Sequence, residues 1–314
     1  MSRVPADGQG LESSVASDWP LDALLTLKGS TRIAVVIPAL NEEATVGAVA
    51  SAIVADLSDL VDEVVVIDSL STDSTADAAR AAGARVHSVA EIRPDLGIRG
   101  GKGEAIWKSL FVTDSDLIAF IDADLTEWGT HFVRGVLGPL LSKPQVHLSR
   151  GFYDRILVAG EEASLEGGRV TELVARPWLA LFRPELVSVV QPLAGEWAIR
   201  RATLEALAIP TGYGVEMSTL LDVHAEYGVS GIAQVDLGRR AHQHQSIHDL
   251  AAMAVELLAV ADRRRGHPAE GEAAALDTHS RGGVTLRSVD AGRLWSDRVV
   301  SIDERPAHRD LRPS

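Results

Sequence analysis

At 314 residues, with 46% hydrophobic residues and a formal charge of −14, the chain is long and apolar enough for one large α/β domain, and too acidic for broad attraction to nucleic acid or anionic lipid. It contains no cysteine, which excludes disulfides and thiolate metal sites. Its apolar runs fall short of a membrane helix and Met1 to Pro20 lacks the basic flank and apolar stretch of a secretory signal, so a cytoplasmic location is expected.

Met1 to Asp18 mixes Gly, Ser, Ala and acids without periodicity and reads as mobile or loosely docked, within an N-terminal extension of residues 1–30. Arg32 to Ile37 is a short β-branched run that predicts a strand. Glu42 to Leu57 follows as a helix, with Val46, Val49, Ile53 and Leu57 at helical spacing. Glu63 to Ile67 and Ala84 to Val89 predict strands around a helix at Thr72 to Ala82. Gly103 to Val112 predicts a helix, and Leu117 to Ile121 a strand that ends at Asp122. This alternation implies α/β architecture, a mostly parallel sheet flanked by helices. Beyond it the pattern is less regular, with helices expected at Arg169 to Phe182, Arg201 to Leu207, Val215 to Tyr227 and Ser246 to Arg264, and one strand at Gly231 to Val235. Gly271 to Ser314 is again rich in Arg, Asp, Gly and Pro and reads as part of a loosely docked tail, residues 267–314. The body thus divides into a first half, 31–143, and a second half, 144–266, that share a core.

Ligands of open parallel sheets sit beyond the carboxyl ends of the strands, so Pro38 to Glu42, Asp68 to Asp73 and Asp122 to Asp124 should meet at one rim. Asp122-Ala123-Asp124 leaves an apolar strand with two carboxylates that can surround one cation on a diphosphate; the competing reading is a solvated turn. Pro38-Ala39-Leu40-Asn41-Glu42-Glu43 stands where a dinucleotide-binding dehydrogenase would carry G-x-G-x-x-G, and the missing glycines argue against that class. Asn41 and Glu42 suit helix capping equally well. Asp68 to Asp73 fits either a helix cap or a contact to base or ribose. In Gly100-Gly101-Lys102-Gly103, Leu96 replaces the first glycine of a Walker loop and Gly103 its Ser or Thr, so a P-loop ATPase is rejected; the lysine either neutralises a diphosphate or sits on a surface turn. His242, His244 and His248 form H-x-H-x3-H. With no further ligands nearby, one imidazole completing an oxygen-rich site fits better than a zinc cluster, and surface histidines remain the plain reading of the other two. Glu216 opens a helix after Gly-Tyr-Gly, where the helix dipole favours a carboxylate regardless of function.

Four features in order, V-I-P-A-L-N-E-E, V-I-D-S-x-S-T-D, G-K-G and D-A-D, resemble the family 2-like glycosyltransferases of the GT-A fold. Residues Gly167 to Pro177, Gln191 to Glu196, Gly212 to Glu216 and Arg240 to His242 narrow the resemblance to the retaining glucosyl-3-phosphoglycerate synthase family, over roughly Arg32 to Arg264. The resemblance implies a nucleotide-sugar-binding half, an acceptor-side half, a UDP-glucose donor, a 3-phosphoglycerate acceptor, Mg²⁺ or Mn²⁺, and a homodimer. It implies further that Pro38, Ala39, Leu40, Glu42 and Ser69 line the uridine pocket, Lys102 approaches the diphosphate, and Asp122 with Ala123 meets the donor sugar or ribose. Asp124 and His242 would hold the cation, and Glu216 would sit with Asp122 at the reacting sugar. Gly168, Arg169, Thr171, Arg240 and His244 would surround the acceptor. Three positions depart from the family pattern: Leu70 stands for glycine, Thr126-Glu127 for Asn-Pro, and His244 for Asn.

The nearest alternative is mannosyl-3-phosphoglycerate synthase, which shares these motifs and differs in nucleotide and sugar. A transferase acting on lipid or polysaccharide is disfavoured because the sequence offers no membrane segment. A non-catalytic nucleotide-sugar sensor would bind the donor without releasing nucleotide diphosphate.

Overall fold

The computed structural model describes residues 11–159, 162–164, 168–242, 247–265, 283–289 and 295–311. The chain opens with strand β1 (Glu12–Val15) and helix α1 (Leu21–Lys28), then β2 (Ile33–Ala39), α2 (Val46–Leu57), β3 (Glu63–Asp68), α3 (Thr75–Ala81) and β4 (Arg85–Ser88). Helix α4 (Lys102–Ser109) leads to β5 (Leu117–Phe120), α5 (His131–Ser142), the long β6 (Leu148–Ala159) and the short β7 (Glu162–Ser164). A π-helical stretch, Thr171–Ala175, runs into α6 (Arg176–Phe182). After it come β8 (Trp197–Arg200), α7 (Arg201–Leu204), β9 (Ile209–Pro210), α8 (Val215–Tyr227), β10 (Ile232–His242) and α9 (Ile247–Arg263). The antiparallel strands β11 (Gly283–Val289) and β12 (Trp295–Ser301), the two-residue β13 (Glu304–Arg305) and a 3-10 turn, His308–Leu311, follow.

One sheet in the order β1-β10-β6-β8-β5-β2-β3-β4 spans the molecule, with β7 alongside β6. Its pairings are parallel except where β8 lies antiparallel to β5 and β6, and β7 to β6. Strands β2 and β5 are unbroken apolar runs because both faces are covered. On one face Val49, Ile53, Phe132 and Leu137 pack with Val35 and Val235; on the other, Trp107, Trp197 and Leu220 pack with Val36 and Phe120. The expected α/β class and mostly parallel sheet are present, and the sheet runs unbroken from the first half into the second.

Several expectations change in detail. Residues 12–15, read as part of a loose extension, pair with Ala233–Asp236 as an edge strand. Trp19 covers that junction: it packs where a Cβ on Gly138 of α5 would stand, and its indole donates to the Ser14 hydroxyl at 3.1 Å. The tail is also partly docked, since β13 pairs with β9 and the Trp107 indole donates to the Pro306 carbonyl at 2.8 Å. The strand expected at Gly231 to Val235 continues to His242, which places Arg240 on the sheet rather than in a following loop. Strands β6 and β8 and helix α5 had no expectation. β6 escapes pattern reading because Ser149 and Arg150 sit in its core: the fully buried Arg150 is tolerated by donating to the carbonyls of Pro192, at 2.7 Å, and Glu216, at 3.0 Å. The helix expected at Arg201 to Leu207 stops after one turn.

Candidate active site

A cavity of about 540 Å³ opens at the carboxyl ends of β2, β3 and β5. Of the residues expected at the donor, Pro38, Ala39, Leu40, Glu42, Ser69, Lys102, Asp122 and Ala123 all line it, with Asp124. So do Glu216 and, from the acceptor set, Gly168, Arg169, Thr171 and Arg240. His242 ends β10, with its side chain outside the described residues; His244 and Gly167 lie outside them altogether.

The loops after β2 and β3 are stitched together. Asn41 adopts a left-handed backbone, φ 57°, and its side-chain oxygen accepts from the Thr72 amide at 2.8 Å, while its own amide donates to the Ser71 hydroxyl. The Thr75 hydroxyl accepts from the Glu42 amide at 2.7 Å. Asn41 thus joins two loops instead of capping its own helix. Asp73 accepts from the Thr75 amide and hydroxyl just before α3 and, across the loops, from the Glu43 amide at 3.3 Å. Leu70 also has a positive φ, 69°, a conformation that favours the glycine the resemblance implies there: a non-glycine side chain costs about 1 kcal/mol or more of backbone strain. Its side chain lies at the cavity wall, 48% exposed.

The charged floor is one network. Lys102 Nζ lies 2.6 Å from an Asp122 oxygen and 2.8 Å from Glu216. The Arg240 Nη2 reaches the other Asp122 oxygen at 3.0 Å and Asp124 at 2.9 Å; its Nη1 reaches Glu196 at 2.8 Å and the Tyr153 hydroxyl at 2.8 Å. Burial alone would depress the Lys102 ammonium, but Asp122 and then Glu216 outweigh it and hold the group firmly charged, above its ordinary range. Burial would raise the Asp122 carboxyl, yet Lys102 and Arg240 keep it well below the usual carboxylate range. Burial raises the Glu196 carboxyl, with Arg240 opposing and Asp122 adding. At the rim, burial and then the neighbouring Asp124 raise the Glu42 carboxyl.

Among the described residues no cluster of three histidine, cysteine or acidic side chains forms a ready-made metal cage. The two carboxylates of Asp122-Ala123-Asp124 nevertheless converge on one positive atom, Arg240 Nη2. That guanidinium marks where positive charge is held, and oxygen ligands of this kind suit a hard divalent ion bound jointly with a diphosphate. The donor set fits the metal.

Sequence reasoning assigned no role to Glu196, Tyr153 or Gly195. Glu196 has no solvent exposure and anchors Arg240 from behind. Gly195 leaves room for Asp122, whose carboxylate occupies the place of a Cβ at that position. Both belong to the Gln191 to Glu196 segment, and a Gly-Glu pair inside a motif was the available signal. Lys102→Ala should weaken the donor at least roughly tenfold, about 1.4 kcal/mol, by removing a charge-assisted contact. Unchanged UDP affinity in a titration would return Lys102 to a purely structural pairing with Asp122 and Glu216.

A doubly covered, mostly parallel sheet with its acidic D-x-D motif at a strand end, facing a lysine-bearing glycine loop across one cavity, defines a glycosyltransferase of the GT-A fold. Residues 34–146 match the glycosyl transferase family 2 model. The chain is 45% identical over 298 residues to glucosyl-3-phosphoglycerate synthase of Mycolicibacterium smegmatis, covering 94% of this chain and 95% of that protein. It superposes with TM-score 0.83 and 40% identity on the Mycobacterium tuberculosis enzyme solved with Mn²⁺, UDP-glucose and phosphoglyceric acid, covering 96% of this chain and 99% of that one. The same scores and coverage hold for that enzyme solved with Mg²⁺ and UDP. The chain belongs to the glucosyl-3-phosphoglycerate synthase family.

Proposed function

We propose that this chain transfers glucose from UDP-glucose to the hydroxyl of 3-phosphoglycerate with retention of configuration. The observation that carries the reading is that the donor loops after β2, β3 and β5 and the Gly168-Arg169-Val170-Thr171 helix start open on one cavity, with Lys102, Asp122 and Glu216 between them. Residues 31–143 then serve as the nucleotide-sugar half and 144–266 as the acceptor half. Pro38, Ala39, Leu40, Glu42 and Ser69 take the uridine, Lys102 the diphosphate, and Asp122 with Ala123 the ribose or sugar. Asp124 and His242 hold Mg²⁺ or Mn²⁺, which when bound adds positive charge at the leaving diphosphate. Gly168, Arg169, Thr171, Arg240 and His244 surround the acidic acceptor. Arginine suits this role because its planar fork matches carboxylate and phosphate oxygens.

Within that frame the acceptor hydroxyl attacks the anomeric carbon on the face from which UDP departs, the bond from the sugar to the diphosphate breaking as the new one forms and the hydroxyl proton passing to the departing phosphate oxygen. Lys102 supports the charge developing on the leaving group. Glu216, held through Lys102, steadies the sugar as it gains oxocarbenium character. The relatives with UDP-glucose favour this reading over transfer of mannose from GDP-mannose. No helix among the described residues is long and apolar enough to cross a membrane. A cytoplasmic location fits two charged metabolites as substrates, and the family resemblance is what supports a homodimer.

A matrix of UDP-glucose and GDP-mannose against 3-phosphoglycerate and uncharged acceptors, with Mg²⁺ or Mn²⁺, tests the proposal. UDP-glucose with 3-phosphoglycerate should give the highest kcat/KM. Preference for GDP-mannose would move the assignment to the mannosyl reaction, and no nucleotide diphosphate released with any pair would make the chain a binding protein.

A further inference from the structure

Lys102 is carried at the end of a segment, residues 96–101, that contains Gly97, Gly100 and Gly101 and is exposed over nearly all its length. Such a segment is costly to order, because glycine-rich backbone loses the most conformational freedom. Yet its start, and Glu104 just past its end, are tied to one side chain from about 200 residues away. Arg305 donates to the Leu96 carbonyl at 2.8 Å and the Gly97 carbonyl at 3.2 Å, and grips both carboxylate oxygens of Glu104 at 2.7 and 2.6 Å. Glu104, in the first turn of α4, is fully buried and also accepts from the Arg99 amide at 3.3 Å. Arg99 in turn donates to the Glu304 carbonyl at 3.0 Å.

The grip is itself well anchored. Arg305 is 5% exposed and its guanidinium lies 4.8 Å from the centre of the Trp107 ring. Its strand, β13, pairs with β9, and the carbonyl of the next residue, Thr211, accepts from the Glu104 amide at 2.9 Å. Gly103 lies so close to the Pro210 carbonyl that no Cβ could stand there. Lys108, also without exposure, adds bonds to the carbonyls of Val89, at 2.6 Å, and Gly97, at 3.0 Å.

We propose that residues 302–306 hold the lysine-bearing donor loop in its binding conformation, with Arg305 as the positioning residue and Glu104 as its counterpart. This inference rests on the donor role of Lys102 given above. The C-terminal segment thereby contributes to donor affinity without touching the donor.

Arg305→Lys in the full chain is the test, because it keeps the charge but loses the bidentate fork; Glu104→Gln is its companion should the first variant fold poorly. Titration with UDP and Mn²⁺, titration with 3-phosphoglycerate, and amide hydrogen exchange are compared with wild type. The expected result is UDP affinity at least tenfold weaker, 3-phosphoglycerate affinity within twofold, and faster exchange at residues 96–101 with β2 and β5 unchanged. Equal loss of both ligands, or a lowered melting temperature with UDP affinity and loop exchange unchanged, would overturn it. If the wild-type chain bound no UDP, the donor reading would fall, and the exchange of residues 96–101 would by itself decide whether Arg305 orders the loop.

Discussion

Asp124→Ala should abolish turnover, lowering kcat/KM by about a thousandfold or more, while the melting temperature stays near that of the wild type. The size follows from removing a carboxylate from the cation site, worth about 4 kcal/mol where charge develops on a leaving group in a sheltered site. The fold should survive because Asp124 stands on the turn after β5 with its side chain 37% exposed, and Arg240 keeps Asp122 and Glu196 as partners when it is gone. EDTA should reproduce the loss in the wild type, and added Mn²⁺ should restore the wild type but not the variant. Activity persisting in chelator would remove the metal from the mechanism.

Arg240→Met should damage both stability and acceptor binding, and the two effects can be separated. The guanidinium meets four partners, of which Glu196 has no exposure at all. Removing one side of a buried pair strands the other, at a cost of about 3–5 kcal/mol. That penalty belongs to Glu196, so adding Glu196→Gln should recover much of the lost stability in denaturant unfolding. It should not recover the acceptor: the KM for 3-phosphoglycerate should remain more than tenfold above wild type in the double variant, because the anion-binding fork is still missing. Recovery of acceptor KM along with stability would show that Arg240 acts only as a structural counter-ion to Glu196.

The first half of the fold was legible because local rules agree there. β2 and β5 are uninterrupted apolar runs, α2 keeps its buried residues at helical spacing, and each strand ends in a polar loop that must emerge at the sheet's carboxyl rim. Asp122, Lys102 and the Pro38 to Glu42 loop were therefore placed at the cavity from sequence and motif resemblance. The second half was harder, because β6 buries Ser149 and Arg150 and β8 has only four residues, so neither presents a periodic signal.

What the chain's residues determined by themselves was the alternating core, the strand-end position of Asp122-Ala123-Asp124, and the acidic balance that leaves anions to be held by local groups. Tertiary structure alone decided the rest. It drew residues 12–15 into the sheet edge, set Glu196 and Tyr153 behind Arg240, and closed Arg305 onto Glu104. Each of these depends on burial or on a partner far away in sequence. A four-residue edge strand has too few residues for a period, and a buried ion pair has no local pattern, since its charges are tolerated only once folding has brought the counter-charge alongside.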